Sequence, residues 1–230
     1  MPSKTAFITG ASSGIGQATA HQFAAAGFDL IISARRKSRI DELSRLLVEQ
    51  HGVEVLALEL DVRDQEAVRE SIGSLPKKWQ AIDVLINNAG LSRGLVTIDK
   101  GLISDWDEMI DTNVKGLLYV SRAVTPLMVK RQAGHIINIG SIAGHEVYAN
   151  GAVYCASKHA VDALTKGMRI DLCQHGVKVS TIDPGLVNTE FSKVRFHGDQ
   201  QRADSTYNGM RPLSADDVAA TILYMAQAPA

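Results

Sequence analysis

The feature that most constrains the fold of this chain is the regular alternation of two kinds of segment. Short, continuous apolar runs predict strands, and a longer stretch with helical periodicity follows each of them. Apolar runs without polar alternation are typical of strands that are covered on both faces. The predicted strands are residues 5–9, 28–33, 53–59, 82–86, 134–139 and 177–182, and the predicted helices are residues 14–26, 38–51, 64–74, 104–131, 153–175 and 215–227.

This alternation predicts an α/β fold in which helices cover both faces of a parallel sheet of six strands. The length of 230 residues fits one domain, and the sequence contains no repeat or linker that would divide it. We therefore expect residues 1–230 to form a single domain built on a doubly wound sheet.

One segment breaks the alternation. Residues 185–212 are polar, mixed and weakly patterned, and they are far longer than an ordinary connection. They follow a predicted strand, at the edge of the sheet where open α/β folds bind ligands. We interpret this segment as a lid over a substrate site.

Charge and hydropathy exclude several classes of partner. The formal net charge of −1 creates no strong field that would attract nucleic acid or an anionic membrane. No apolar run approaches the roughly 18 residues of a membrane helix, and the strand-like run that begins at Thr5 leaves no room for a signal peptide. We expect a cytoplasmic protein whose partner is a small molecule, with no bound metal.

The sequence has two cysteines, Cys155 and Cys173, and both fall on one predicted helix. At about 1.5 Å per residue the helix separates them by about 27 Å, so they cannot form a disulfide with each other. We expect each of them to be a small buried apolar side chain in a reducing compartment.

A glycine-rich turn joins the first predicted strand directly to the first predicted helix. The sequence from Thr9 to Gly16 is TGASSGIG, with glycines spaced G-x-x-x-G-x-G. Glycine lets a backbone turn tightly and approach a pyrophosphate, and a helix N-terminus offers free N–H groups at the positive end of its dipole. A turn needs glycine in any case, but the strand–turn–helix context favours dinucleotide binding. The predicted cofactor contacts here are Gly10, Ser12, Ser13, Gly14, Ile15 and Gly16.

Two arginines, Arg35 and Arg36, follow the second predicted strand. An acidic residue at this place binds the ribose 2′-hydroxyl of NAD, whereas arginine accommodates the 2′-phosphate of NADP. The planar guanidinium donates paired, charge-assisted hydrogen bonds that suit a phosphate. A solvated basic helix start is the alternative interpretation. We predict NADP(H) as the cofactor.

Polar residues also follow the third and fourth predicted strands. Asp61 and Val62 stand after the third strand, and Asn88, Ala89 and Gly90 stand after the fourth. Taken singly, the aspartate could cap the next helix and the asparagine–glycine segment could be a simple turn. Together they lie along the sheet edge where the adenine and the nicotinamide ribose would pass, so we predict that they contact the cofactor.

Ser141, Tyr154 and Lys158 form a candidate catalytic group. Tyr154 and Lys158 are four residues apart on a predicted helix, so their side chains share one face. The loop after the fifth predicted strand can bring Ser141 to that face. A phenol has a pKa of about 10, and a nearby ammonium lowers that pKa toward neutrality. Such a tyrosine can donate a proton to a carbonyl oxygen as hydride reaches the carbon.

These motifs, together with NNAG at 87–90, DTNVKG at 111–116 and DPG at 183–185, resemble the short-chain dehydrogenase/reductase family over nearly the whole chain. The resemblance implies a Rossmann-like fold and a set of residue roles. Tyr154 would be the acid/base, and Lys158 would lower its pKa and hold the nicotinamide ribose. Ser141 would orient the substrate carbonyl, and Asn113 would support a proton-relay water. The further cofactor contacts that we expect are Pro184, Gly185, Val187 and Thr189.

Three segments, PGLV at 184–187, TEFS at 189–192 and VRFHGD at 194–199, resemble the branch of NADP-dependent 3-hydroxy acid dehydrogenases that includes serine and allo-threonine dehydrogenases. Gly90 and Leu91, together with Trp106, Met109 and Ile110, also fit this branch. The implied activity is reversible hydride transfer between NADP(H) and a small 3-hydroxy acid. Arg195 is our candidate for binding the substrate carboxylate, although it could instead stay solvated or pair with Asp199 or a cofactor phosphate. A carbonyl reductase for an uncharged ketone, aldehyde or acyl substrate and a non-catalytic NADP-binding sensor are the alternative functions.

Members of the family usually carry a seventh strand after the last helix, whereas this sequence ends at residue 230, soon after the predicted helix 215–227. Either a tail is missing from the sequence or the sheet is one strand short. In the family, the C-terminal part with the seventh strand commonly shapes the subunit contacts and the rim of the substrate pocket. The predicted helix 153–175 is apolar around most of its circumference, which is typical of a helix buried on more than one side. We expect a homo-oligomer, a dimer or a tetramer, with this helix and 104–131 at the main interface.

Overall fold

Six parallel strands form the centre of the structure, a computed structural model that describes residues 3–207 and 209–229. The strands are β1 (Thr5–Thr9), β2 (Asp29–Ala34), β3 (Val55–Glu59), β4 (Ile82–Asn87), β5 (Gly134–Ile139) and β6 (Val177–Ile182). Their order in the sheet is β3-β2-β1-β4-β5-β6. The chain runs outward from β1 to β3 and then returns to place β4 beside β1, so the order reverses between β1 and β4. The predicted six-stranded, doubly wound sheet is confirmed.

Helices cover both faces of this sheet. They are α1 (Gly14–Ala25), α2 (Lys37–His51), α3 (Gln65–Gly73), α4 (Ile103–Ile110), α5 (Leu117–Arg131), α6 (Ala152–Leu172), α7 (Phe191–Arg195), α8 (Gln200–Ser205) and α9 (Ala215–Gln227). Successive strand residues point to opposite faces, so each face carries its own apolar core. Ala6 and Ile8 of β1 pack with α1, α2 and α9, whereas Phe7 packs with α3, α5 and α6.

The predicted helix 104–131 is not one regular α-helix. A π-helical turn, Asp111–Gly116, separates α4 from α5 within a continuous helical run. A π turn adds a residue to the helical repeat, and such turns are frequent at functional sites. Apolar periodicity does not reveal a single widened turn, so the sequence predicted only the run as a whole. The turn contains Asn113, one of the predicted site residues.

The segment 185–212 has more structure than its weak pattern suggested, because α7 and α8 lie within it. Asp199 caps α8 by accepting a hydrogen bond from the backbone N–H of Arg202 at 3.1 Å. The backbone N–H of Leu213 donates to the carbonyl of Leu186 at 2.9 Å. This bond fastens the end of the segment to its beginning, so the segment leaves and rejoins the fold at one place.

The structure differs from the sequence-based expectation for one of the two cysteines. Cys155 is buried in α6, as expected, but Cys173 lies just beyond the end of α6 and is exposed. Both are free thiols. Across residues 3–207 and 209–229, none of the helices combines the length and the apolar character that a membrane crossing requires.

Candidate active site

A cleft of about 840 Å³ opens at the carboxyl ends of the strands, where the strand order reverses. Two of the predicted site residues, Gly16 and Asn113, lie behind its wall rather than on it. The other predicted residues line the cleft together: Gly10, Ser12, Ser13, Gly14, Ile15, Arg35, Arg36, Asp61, Val62, Asn88, Ala89, Gly90, Ser141, Tyr154, Lys158, Pro184, Gly185, Val187, Thr189 and Arg195. The fold therefore collects residues from all six strand ends and from α7 at one opening.

The glycine-rich turn after β1 forms one wall of the cleft. Gly10 has a φ of +67°, and a Cβ atom there would lie 2.9 Å from the Cα of Ala89. A Cβ at Gly16 would lie 2.6 Å from the Gly10 carbonyl oxygen, so the absence of a side chain lets α1 pack against the turn. Within the described chain, α1 has neither a side-chain cap nor an acidic residue in its first turn. Its N–H groups are thus available to an anion, which fits a pyrophosphate.

Asn88 holds the glycine-rich turn in place. Its side-chain amide donates to the backbone carbonyls of Thr9 at 2.8 Å and Gly10 at 3.2 Å. The Thr9 hydroxyl in turn accepts hydrogen bonds from the backbone N–H groups of Asn88 and Ala89, each at 3.0 Å. These contacts tie the end of β4 to the end of β1 and fix the shape of the cleft between them.

Arg35 and Arg36 follow β2 at the outer end of the cleft. The guanidinium of Arg36 donates to the Ser12 hydroxyl at 2.9 Å and to the Ser13 hydroxyl at 2.7 Å, which joins it to the glycine-rich turn. Arg35 lies 3.5 Å from the Glu108 carboxylate, and its side chain is half exposed. Neither residue is acidic, and the two guanidiniums together suit a phosphate better than a ribose hydroxyl.

Asp61, after β3, pairs with Arg63 at 2.6 Å and does not cap the next helix. That cap is Asp64, which accepts a hydrogen bond from the backbone N–H of Ala67 at 3.0 Å. The alternative role considered for Asp61 as a helix cap is therefore wrong, and its side chain lines the cleft.

Ser141, Tyr154 and Lys158 meet at the inner end of the cleft. Tyr154 and Lys158 lie on α6 with only 8% and 7% of their surfaces exposed, and the Ser141 side chain contacts the Tyr154 hydroxyl. The Lys158 ammonium donates to the backbone carbonyl of Ile139 at 2.7 Å and lies 6.0 Å from the centre of the Tyr154 ring. The three predicted side chains thus share one buried corner.

The pKa of Tyr154 differs from the expected direction. Burial raises the pKa of Tyr154 to about 12, and the contact with Ser141 and the charge of Arg195 oppose that rise only in part. Burial also lowers the pKa of Lys158 to about 8, which the Asp183 carboxylate counteracts in part. The Lys158 ammonium donates its hydrogen bond to the Ile139 carbonyl, and the groups that lower the Tyr154 pKa are Ser141 and Arg195 instead of the predicted Lys158. At neutral pH Tyr154 is a protonated phenol, the form that donates a proton.

Asn113 supports the wall of the cleft from behind. Its side-chain oxygen accepts a hydrogen bond from the backbone N–H of Leu91 at 2.8 Å, and its amide donates to the Leu91 carbonyl at 2.8 Å and to the Ser157 hydroxyl at 3.0 Å. The side chain is buried, and these bonds use both hydrogens of its amide group. It joins the π-helical turn to α6 and to the segment after β4.

Arg195, at the end of α7, contacts the ring of Tyr154. Its guanidinium lies 5.3 Å from the centre of the Tyr154 ring and donates to the hydroxyls of Ser92 at 3.0 Å and Tyr148 at 2.7 Å. Only 9% of the residue is exposed. It therefore is not solvated, and Asp199 is occupied as the cap of α8. Among the residues that the structure describes, Arg195 forms no ion pair with a carboxylate.

The sequence of the chain matches one family model along most of its length. The model is that of the short chain dehydrogenases, and it matches residues 4–200. The chain belongs to the short-chain dehydrogenase family. Its TGASSGIG turn, Ser141, and the Tyr154–Lys158 pair have the places in the fold that the resemblance implied.

Relatives within this family are similar over almost the entire chain. The NADP-dependent 3-hydroxy acid dehydrogenase of Schizosaccharomyces pombe is 46% identical over 222 residues, which cover 96% of this chain and 86% of that protein. The protein of the same description from Escherichia coli (strain K12) is 43% identical over 224 residues, 97% of this chain and 89% of that protein. The closed form of a serine dehydrogenase complexed with NADP+ has a TM-score of 0.93 at 42% identity and covers 98% of this chain and 90% of that chain.

Several side chains beside the cleft were not predicted from the sequence of this short-chain dehydrogenase. Tyr148 holds Arg195, Arg93 holds the end of α7, and Arg39 contacts Glu190. No spacing rule points to these contacts, because each joins residues far apart in the chain. The acidic Glu190, which follows the predicted cofactor contact Thr189, was an available signal, since a carboxylate attracts nearby cations such as Arg36.

Proposed function

We propose that this protein catalyses the reversible, NADP(H)-dependent oxidation of the hydroxyl group of a small 3-hydroxy acid. The observation that carries the proposal is the buried Arg195 guanidinium, which lies over the Tyr154 ring. Among the described residues, it donates hydrogen bonds to hydroxyl groups and forms no ion pair with a carboxylate. A substrate carboxylate bound to this cation would bring the nearby hydroxyl-bearing carbon to the Tyr154 phenol. The relatives described as 3-hydroxy acid dehydrogenases support the same substrate class.

The residues of the cleft fit NADP(H). The uncapped N-terminus of α1 suits the pyrophosphate, and Arg35 and Arg36 suit the 2′-phosphate. Asp61 and Val62 would border the adenine, Asn88, Ala89 and Gly90 the ribose, and Pro184, Gly185, Val187 and Thr189 the nicotinamide end. When bound, the cofactor supplies the redox chemistry, a hydride transferred to or from the substrate carbon.

The work of the chain is to move one proton and to hold the substrate oxygen. The Tyr154 hydroxyl would donate its proton to the carbonyl oxygen during reduction and recover it during oxidation. The Ser141 hydroxyl would donate a hydrogen bond to the same oxygen and stabilise the charge that develops on it. The Lys158 ammonium, anchored on the Ile139 carbonyl, adds a positive charge beneath the site, and Asn113 keeps the wall in position.

We also propose that residues 185–212 act as the lid of this site. The rings of Phe191 and Tyr154 are 5.7 Å apart, so α7 already contacts the candidate acid. Movement of α7 would carry Arg195 toward or away from the substrate and would exclude water when the site is closed. We place the site and its lid in one catalytic domain of residues 1–230, of which residues 3–207 and 209–229 are described.

Turnover of matched substrates tests this proposal. The purified protein is assayed with NADP+ and NAD+ on small 3-hydroxy acids, serine among them, and on the methyl ester of each acid. We expect NADP+ to be preferred, and kcat/KM to be at least about tenfold higher for the acid than for its ester, because a charged hydrogen-bonded pair contributes about 1.5–3 kcal/mol. Replacing Arg35 and Arg36 by alanine should weaken the binding of NADP+ at least about tenfold and leave the binding of NAD+ nearly unchanged.

Each rival function gives a different result. Equal or better turnover of the uncharged esters or ketones would indicate a carbonyl reductase for uncharged substrates. Tight NADP+ binding without turnover of any compound would indicate a sensor. A wild-type preference for NAD+ would show that the cofactor assignment is wrong.

We further propose a homo-oligomer, a dimer or a tetramer, in which α6 and the helical run 103–131 form the main interface. Large apolar side chains on these helices support the proposal, since Ile170 is 75% exposed and Leu118 is 37% exposed. We also propose a reducing, cytoplasmic location, in which the thiols of Cys155 and Cys173 stay reduced. Sedimentation of only monomer at micromolar concentration would contradict the oligomer.

A further inference from the structure

A carboxylate from the lid occupies the arginines at the outer end of the cleft. The Oε2 atom of Glu190 lies 2.9 Å from Nη1 of Arg36, and its two carboxylate oxygens lie 2.8 and 3.1 Å from Nη1 of Arg39. Hydrogen bonds from Arg39 and then from Arg36 lower the pKa of Glu190 to about 2, so the carboxylate is ionised throughout the physiological range. One anion is therefore shared between two guanidiniums.

The Glu190 carboxylate binds the Nη1 atom of Arg36, which forms no hydrogen bond with the glycine-rich turn. The Nε and Nη2 atoms of Arg36 are already bonded to the hydroxyls of Ser12 and Ser13, at 2.7–3.1 Å. Its Nη1 atom faces Glu190. An anion that contacts both Arg36 and Arg39 must use this Nη1 edge, and it meets Glu190 there.

We propose that Glu190 is a specificity-determining residue that competes with the 2′-phosphate of the cofactor for Arg36 and Arg39, and that Arg39 belongs to the phosphate site. The proposal rests on the NADP(H) assignment above. A phosphate dianion carries more charge than the carboxylate and displaces it, but part of its binding energy is used to separate Glu190 from both arginines. NAD+ has no 2′-phosphate, so its binding leaves Glu190 in place.

The exchange takes place at the start of the lid helix. Glu190 immediately precedes α7, which carries Arg195 at its other end. Displacement of Glu190 by a 2′-phosphate therefore removes one tether of the helix that positions the candidate substrate cation. The competing role for Glu190 is to hold Arg36 and Arg39 in the right geometry for the phosphate, and the two roles predict opposite changes in affinity.

Glu190→Gln decides between these roles by equilibrium binding. The ligands are NADP+, NAD+, 2′,5′-ADP and 5′-AMP, and their dissociation constants are measured by calorimetry without substrate. We expect NADP+ and 2′,5′-ADP to bind about three- to tenfold more tightly to the variant, the gain expected when two exposed ion pairs no longer compete. The dissociation constants of NAD+ and 5′-AMP should stay within a factor of about two of the wild-type values.

Asp41→Asn is the matched control. Asp41 lies on the same helix as Arg39, is exposed, and pairs only with Lys37 at 2.9 Å among the described residues. The substitution removes one negative charge near the proposed site but leaves the contacts of Arg36 and Arg39 unchanged. We expect all four dissociation constants to stay within a factor of about two of the wild-type values. In the Glu190→Gln background, Arg39→Met should weaken the binding of 2′,5′-ADP about three- to tenfold, because a phosphate contact is lost.

Unchanged or weaker NADP+ binding by Glu190→Gln would overturn the proposal, as would equal tightening by Asp41→Asn. No effect of Arg39→Met on 2′,5′-ADP would remove Arg39 from the site. If the wild-type protein binds 5′-AMP and NAD+ as tightly as their 2′-phosphorylated forms, the cofactor assignment itself fails. The wild-type arm therefore separates failure of the proposed function from failure of this inference.

Discussion

The guanidinium of Arg195 is held by aromatic rings and hydroxyl groups rather than by an acid. The rings of Tyr154, Phe191 and Tyr148 lie 5.3, 5.5 and 5.8 Å from it. Cation–π contacts and neutral hydrogen bonds compensate only part of the hydration that a buried charge loses. An anion that enters the cleft would complete this set of partners, so we expect Arg195 to favour substrates that carry a carboxylate.

Replacing Arg195 by methionine tests this residue directly. Methionine keeps much of the apolar volume and removes the charge. We expect kcat/KM for 3-hydroxy acids to fall at least about tenfold, with much smaller losses for their uncharged esters. Steady-state kinetics on both substrate classes measure the difference. Equal losses on both classes would assign Arg195 to lid closure or cofactor binding instead.

Tyr154→Phe should retain the fold and NADP+ binding but lose about 10²–10⁴-fold in kcat, because a positioned general acid contributes about that much. Burial raises the pKa of Tyr154 to about 12, so the phenolate required for oxidation becomes more populated with each unit of pH. We expect the wild-type oxidation rate to rise between about pH 7 and 10 and this rise to be absent in the variant. Activity within a factor of about three of wild type would mean that another group transfers the proton.

At the scale of secondary-structure elements, α7 is the part that connects the two ends of the cleft. Nη1 of Arg93 donates to the backbone carbonyl of Val194 at 2.6 Å, and the backbone N–H of Gly94 donates to the carbonyl of Arg195 at 2.8 Å. Nε of Arg93 also bonds the Glu108 carboxylate on α4 at 2.7 Å. These contacts hold the C-terminal end of α7 against the segment that follows β4.

We predict that Arg93 is a positioning residue for Arg195. Arg93→Met should lower kcat/KM for 3-hydroxy acids about tenfold and speed protease cleavage within 191–205, while NADP+ affinity changes by less than about a factor of two. Arg69→Met is the control, because Arg69 is exposed and pairs only with Glu66 and Glu70 of its own helix among the described residues. Unchanged cleavage together with lost activity would mean that Arg93 contacts the substrate itself.

The elements and motifs were predictable because they depend on local patterns. Apolar runs located the strands to within a residue or two, and the glycine spacing located the turn after β1 that lines the cleft. The contacts that shape the lid are of a different kind. Arg93 and Val194 are 101 residues apart, and Arg36 and Glu190 are 154 residues apart. The direction of the Tyr154 pKa shift also depends on burial depth and on where Lys158 points, and neither quantity is encoded in a four-residue spacing.

At the scale of the whole molecule, the two ends of the sheet differ in function. The carboxyl ends of the strands carry the cleft, whereas the amino ends carry buried groups that lie away from it. His135, near the start of β5, is 5% exposed, and its Nε2 atom lies 2.9 Å from the Ser180 hydroxyl of β6. Burial, together with the nearby charge of Lys178, lowers the pKa of His135 to about 4.

This histidine should make the stability of the fold depend on pH in one window. In the unfolded chain the pKa of histidine is about 6.5, so above that value His135 is neutral in both states and has no pH effect. Between about pH 6.5 and 4 the unfolded chain binds a proton that the folded protein does not, so stability falls as the pH falls. The loss should reach about 1–3 kcal/mol by pH 4. Urea unfolding at pH 7.5, 5.5 and 4.5 measures it.

His135→Gln removes the titrating group and retains a side chain that can bond Ser180. We expect the variant to lose some stability at pH 7.5 but to show a shallower decline toward pH 4.5 than the wild-type protein, since its side chain gains no proton on unfolding. His159→Gln serves as the control because His159 is exposed on α6. An identical decline in wild type and His135→Gln would show that other groups, and not the histidine at the amino end of β5, set the acid sensitivity of the fold.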